Sequence, residues 1–217
     1  MSNSRAIILD LDGVLVETEP LKALAHSETV ARFAGQVAPS FYATVMGRPH
    51  AEVRDAFLAK AAVTADDAVY TSAFDARYAE LLANRTRMTA GAAALLARAR
   101  SLSMATALVT SSRRWMTDRV LASVGCAQAF DCIICAEDVP AHKPAPDSYL
   151  AALERLAIEA RSALALEDSD AGVAAATAAG IRVIALRHAL NHEHQFRSAA
   201  RIVSSLDEVL SATEAAA

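Results

Sequence analysis

Cysteine is scarce in this sequence: Cys126, Cys132 and Cys135 are the only three in 217 residues. An odd, small number argues against a disulfide framework. Aromatic residues are also few, 5% against 54% hydrophobic residues overall, so alanine and aliphatic side chains carry the apolar content. That balance suits many helices packed on an aliphatic sheet. Basic tracts are missing and the net charge is −4, which sets nucleic acid aside as an expected partner. Long hydrophobic runs are missing as well. No uncharged apolar stretch approaches the roughly 18 residues of a membrane span. The apolar run in the opening "MSNSRAIILDLDG" is too short and too acidic for a signal peptide. The expectation is a soluble, cytoplasmic protein with no membrane partner.

What the sequence does contain is a rhythm. Strand candidates fall at Ala6 to Leu11, Ala105 to Thr110, Cys132 to Ala136, Ala163 to Glu167, Arg182 to Leu186 and Arg201 to Val203. Helix patterns such as "RRWMTDRVLASVG", "PDSYLAALERLAI" and "DAGVAAATAAG" lie between the later ones, with Gly125 and Gly180 placed as helix stops. Strand and helix in alternation predict an α/β fold, a Rossmann-like parallel sheet core with helices on both faces. Runs such as "AIIL" and "RVIAL" are apolar on both sides, as strands buried on both faces are. From about Val16 to Met88 the rhythm stops. "PLKALAHSETVARFAG", "HAEVRDAFLAKAA" and "TSAFDARYAELLANR" read as amphipathic helices with no convincing strand among them, the first two joined through the loop "MGRPH". The expected organisation is a core of residues 1–16 and 87–217 with an inserted small all-helical cap, 17–86.

Ligands of an open parallel sheet bind beyond the carboxyl ends of its strands. Those ends carry Asp10 and Asp12, then Thr110, Ser111 and Ser112, then Lys143 in "EDVPAHKPAPD", then Glu167, Asp168 and Ser169. Residues two apart in a strand share a side, so Asp10 and Asp12 can face one site, and Gly13 lets the backbone turn sharply after them. Carboxylates without histidine or thiolate ligands suit a hard cation, Mg²⁺ above all. Lys143 offsets the remaining charge and can hold an anionic group. Thr110 and the amides after it form a natural phosphate cradle at a helix start. The parts suit transfer of a phosphoryl group to an aspartate.

"DLDGVLVET" at 10–18, "VTSS" at 109–112, "HKPAPD" at 142–147 and "LEDSDAG" at 166–172 resemble, in order and spacing, the four motifs of the haloacid dehalogenase superfamily, in its branch with a small helical cap. The resemblance implies Asp10 as nucleophile through an aspartyl-phosphate, and Asp12 as general acid and then general base. It further implies a phosphoryl contact from Thr110, and Lys143 bridging that group and the nucleophile. Mg²⁺ would be held by Asp10, the Asp12 carbonyl and Asp168, with Glu167 binding directly or through water. The implied enzyme is a phosphatase acting on a small phosphorylated metabolite, a sugar or polyol phosphate.

Thr18, Lys22, Arg48, His50 and Ser111 are the candidates for substrate contact. Dehalogenases of the superfamily lack the second aspartate. The β-phosphoglucomutase-like members resemble this chain more closely, yet they offer an arginine where His50 stands and a histidine where Lys22 stands. Glu17 takes the place of their usual aspartate. A non-catalytic binding protein on the same fold is a further alternative, although each residue the chemistry needs is present. Cys132 and Cys135 read as buried structural cysteines. His188, His192 and His194 read as surface histidines, and Arg113 and Arg114 as a solvated helix face.

Overall fold

The computed structural model describes residues 5–214. Six parallel strands form one sheet in the order β3-β2-β1-β4-β5-β6. They are β1 (Ala6–Leu9), β2 (Ala105–Val109), β3 (Cys132–Ile134), β4 (Ala163–Glu167), β5 (Arg182–Leu186) and β6 (Arg201–Val203). The helices are α1 (Glu19–Ala31), α2 (His50–Ala61), α3 (Asp67–Arg85), α4 (Ala92–Ser101), α5 (Arg114–Val124), α6 (Asp147–Leu156), α7 (Asp170–Ala178) and α8 (Leu206–Glu214). The predicted strands are found at the expected places, but the first three stop earlier, before Asp10, Thr110 and Cys135. The sequence pattern did not anticipate α4 and α8.

Each strand alternates between two cores. Ile7, Leu9, Leu108, Leu164 and Leu166 point to one face, where they meet α4 (Leu95, Leu96), α5 (Met116, Val120, Leu121) and α8 (Leu206, Val209). Ala6, Ile8, Ala107, Ala165 and Ala185 point to the other, under Tyr149, Ala152 and Leu153 of α6 and Val173, Ala175 and Ala176 of α7. Small strand residues on that face let the alanine-rich α7 lie close, and this closeness positions the residues before it.

β1 is central, paired with β2 on one side and β4 on the other, with Leu9 level with Leu108 and Leu166. The chain lays β2 and β3 on one side of it and β4, β5 and β6 on the other, so a crevice opens at its carboxyl end. Between β1 and β2 lie α1, α2 and α3, which pack together around Tyr70, Phe74, Tyr78 and Phe57. No regular strand interrupts them, although Val16 makes isolated β-bridges to Asp12 and Met88. The two links to this helical block run side by side: the Glu17 amide donates to the Arg87 carbonyl at 2.9 Å and the Thr89 amide to Leu15 at 3.0 Å. Among the described residues, no helix is long and apolar enough to cross a membrane.

Candidate active site

Asp10 follows β1 directly, its amide donating to the Leu166 carbonyl of β4 at 3.0 Å. Lys143 reaches across from the loop before α6. Its Nζ donates to Asp10 Oδ1 at 2.5 Å, to Glu167 Oε1 at 2.5 Å and to the Val109 carbonyl at 3.1 Å. Tyr149 OH donates to the same Glu167 oxygen at 2.6 Å. All of these side chains are buried. One carboxylate oxygen each of Asp10, Glu167 and Asp168 fall within 4.8 Å of one another.

Burial is costly for such carboxylates. It pushes Asp10 well above the usual range against the pull of Lys143, and Glu167, Asp168 and Asp12 add to the rise. Asp168 is raised for the same reason, with Glu19 and Glu167 adding to it. Three hard oxygen donors with one lysine between them are an arrangement that a divalent cation fits, since it would offset the charge that burial opposes.

Asp12 is treated differently. Burial alone would raise it, but Lys22 Nζ stands 2.8 Å from Oδ2 and Ser112 Oγ donates there at 2.6 Å, while Thr18 Oγ1 donates to Oδ1. Together they hold the carboxyl below its ordinary value. Two carboxylates two residues apart are therefore pushed in opposite directions, a pattern that separates chemical roles.

Gly13 makes this possible. It has φ +80°, and a Cβ there would run into the Asp168 carboxylate and sit 3.1 Å from His188 Nε2. Thr110 is buried, and its Oγ1 accepts the Ser112 amide at 2.9 Å.

Above these groups a cavity of about 410 Å³ lies between the strand ends and the helical block. Asp10, Asp12, Thr110, Ser111, Lys143 and Asp168 line it from the sheet side, and Lys22, Arg48 and His50 from the other. Lys22 is tied inward, with Glu19 Oε1 2.9 Å from its Nζ. Arg48 is exposed and donates to the Thr44 carbonyl at 3.4 Å. His50, the first residue of α2, is half-buried beside Phe74, with ring centroids 4.7 Å apart. Thr18 is buried against Asp12 and is not among the cavity-lining residues. Glu17 is exposed.

Several neighbours escaped the sequence reading. His188 was expected at the surface, but its Nε2 lies 2.9 Å from Asp168 Oδ2 and the ring is half-buried. The reason is the fully buried Asn191, which donates to the carbonyls of Asp168 and Leu186 at 2.8 Å and accepts the His188 amide. His192 is exposed as expected, whereas His194 is half-buried and accepts the Asp170 amide at 2.9 Å. Arg113 pairs with Asp75 of α3 and Arg114 with Asp138, so neither is merely a solvated side chain. Cys135 is buried, Cys132 only half so. Glu19 could have been found from its three-residue spacing to Lys22 at a helix start; Tyr149 and Asn191 carry no local signal.

The haloacid dehalogenase-like hydrolase family matches residues 7–186. The chain belongs to it. "Protein CbbY" of Rhodobacter capsulatus is 33% identical over 83% of this chain and 84% of its own length. Validoxylamine A 7'-phosphate phosphatase of Streptomyces hygroscopicus subsp. limoneus is 30% identical over 84% of this chain and 85% of its own. In fold the chain is similar to a mutant of CbbY from Rhodobacter sphaeroides in complex with xylulose-(1,5)bisphosphate, with TM-score 0.82 and 27% identity over 94% of this chain and 96% of that one. Within the family this chain is a hydrolase of the phosphatase-like kind.

Proposed function

We propose that the chain is a Mg²⁺-dependent phosphatase of a small phosphorylated metabolite, a sugar or polyol phosphate, working through an aspartyl-phosphate on Asp10. The observation that carries the proposal is the pair of carboxylates at the end of β1, Asp10 bound to Lys143 and Asp12 to Lys22, Ser112 and Thr18, in one cavity. Relatives named for phosphatase activity on phosphorylated sugar-like compounds support it.

A divalent cation held by Asp10, Asp168 and Glu167, with the Asp12 carbonyl, would supply charge neutralisation for the transferring group. The chain's own residues do the rest. Asp10 attacks phosphorus while Lys143 steadies both its carboxylate and the phosphoryl oxygens. Thr110 and Ser111 cradle the remaining oxygens. An anionic ester beside Asp12 raises its proton affinity, so that it can protonate the leaving oxygen. Its preferred ionised form then takes a proton from the water that cleaves the phosphoaspartate.

Residues 17–86 act as a cap on the core of 1–16 and 87–217, and the paired links at Glu17 and Arg87 are where it pivots to exclude bulk water. With Lys22 committed to Asp12 and Glu19, and His50 at the start of α2 in the position where a mutase offers arginine, water is the favoured acceptor over a second sugar oxygen.

The test is Mg²⁺-dependent release of inorganic phosphate from a panel of phosphate monoesters, with Asp10→Asn beside the wild type. Release by the wild type and its loss in Asp10→Asn are expected; equal activity in the two would sink the mechanism. Glucose 1-phosphate should yield free phosphate, and accumulation of glucose 6-phosphate instead would make the chain a mutase.

A further inference from the structure

The first turn of α1 is built around Asp12 more than around its own helix. Thr18 stands at the N-cap position, where a hydroxyl normally accepts an amide of the first turn, yet it makes no capping bond. Its Oγ1 donates to Asp12 Oδ1 instead. One turn on, Lys22 Nζ stands 2.8 Å from Asp12 Oδ2. The helix thus brings a donor to each oxygen of that carboxylate, and Ser112 of the core adds another at Oδ2.

Glu19 completes this turn. An acid at a helix start commonly faces solvent and favours the positive end of the helix dipole. Glu19 is instead buried in the cavity wall, only 5% exposed, where a carboxylate is costly unless it is paired. Its Oε1 accepts from Lys22 Nζ at 2.9 Å, so the ammonium is gripped between Asp12 and Glu19. A lysine on its flexible four-carbon stem has many orientations open to it. A second carboxylate three residues back on the same helix face removes them. The steps assigned above to Asp10, Thr110 and Lys143 leave Glu19 without a part.

We propose that Glu19 is a positioning residue for the departure of the leaving group: it holds Lys22 on Asp12, and Lys22, with Thr18 and Ser112, fixes the carboxyl that must meet the ester oxygen. The inference rests on the phosphatase reading above. In the step concerned, Asp10 forms its bond to phosphorus, the bond from phosphorus to the ester oxygen breaks, and the proton of Asp12 goes to that oxygen. Glu19 and Lys22 neither give nor take a proton; they act on geometry alone.

The experiment compares kcat/KM for p-nitrophenyl phosphate and for the best alkyl ester of the panel above. Mg²⁺ is kept saturating, because Glu19 also adds to the rise of Asp168. An alkoxide needs the proton of Asp12, whereas p-nitrophenolate leaves without one, so the ratio of the two values isolates the acid step. Glu19→Gln, which keeps the size of the side chain, should lower the alkyl value by about tenfold or more beyond any loss on the p-nitrophenyl ester. Glu19→Ala should lower it further, and the Tm of each variant is read beside its rates. Losses equal on the two esters, or no loss, overturn the inference and leave the phosphatase reading intact. Lys22→Gln should show the same selective loss, and adding Glu19→Gln to it should change the ratio by less than about twofold, since one residue acts through the other. Additive losses count against the proposal. Release of phosphate from neither ester by the wild type ends the phosphatase reading, and this inference with it.

Discussion

Beside the carboxylate cluster, His188 is oriented by its own loop. The Leu190 amide donates to its Nδ1 at 3.2 Å, which leaves Nε2 as the protonated nitrogen of the neutral ring, 2.9 Å from Asp168 Oδ2. One carboxylate oxygen of Asp168 is thereby fixed, beside a cluster in which Asp168, Asp10 and Glu167 each bring an oxygen within 4.8 Å of the others. Partners behind a metal-binding carboxylate typically govern affinity by about 10–100-fold. His188→Ala should weaken Mg²⁺ binding within that range, read from calorimetry or the Mg²⁺-induced rise in Tm, and His188→Gln should keep part of it. Unchanged affinity in His188→Ala would remove His188 from this role.

His26 offers a second test at the same scale. Its ring is buried among Phe57, Phe74 and Tyr70, with Nδ1 2.9 Å from Tyr70 OH, and burial first and then His50 depress its pKa from 6.5 to about 2. Unfolding lets the ring bind a proton that the native state refuses. The stability it contributes is therefore complete above pH 6.5 and drains away as pH falls from 6.5 toward 2. The slope approaches about 1.4 kcal/mol per pH unit. Urea unfolding across the mildly acidic range should show a shallower pH dependence in His26→Gln than in the wild type; equal slopes would place the acid sensitivity elsewhere.

Among the elements, α7 does more than cover the sheet. Ser169 caps it by accepting the Gly172 amide at 3.0 Å, and Gly172 lies so close to Glu167 that a Cβ would overlap the carboxylate. Helix propensity alone predicts that alanine gains about 0.5–1 kcal/mol here. Overpacking a fixed buried group costs about 1–3 kcal/mol, and Glu167 is held by Lys143 and Tyr149, so it cannot yield. Gly172→Ala should therefore be net destabilising by denaturant titration; a stabilised variant would mean that Glu167 moves freely.

Across the whole molecule, the two cores share one sheet, and β1 is its middle. Leu9 is fully buried between neighbours from β2 and β4, whereas Leu150 of α6 is 48% exposed. Leu9→Ala should cost about 2–5 kcal/mol, and Leu150→Ala should stay within about 0.5 kcal/mol, both by urea unfolding. Similar losses in the two would contradict a core centred on β1. The helical block is joined to the same packing through Leu11, Val14, Leu15 and Val16, so its orientation over the site is set by hydrophobic contact as well as by the Arg113–Asp75 pair.

How much of this was legible depends on how far apart the interacting residues are. The alternation of "AIIL" with helical spans, the stops at Gly125 and Gly180, and the acids and hydroxyls at strand ends are local features. They follow from backbone periods and from where a parallel sheet must place its carboxyl ends. The sequence by itself therefore determined the fold class and the side of the sheet where Asp10, Asp12, Thr110, Lys143, Glu167 and Asp168 gather. Folding alone decided the pairings. Lys143 meets Glu167, Lys22 turns inward to Asp12, Tyr149 backs Glu167, and Asn191 draws the loop after β5 in so that His188 reaches Asp168. Such contacts join elements brought side by side by sheet order and helix packing, and a charged side chain takes its partner from whatever group lies within hydrogen-bond reach, whether near in the chain, as Glu19 is to Lys22, or far from it.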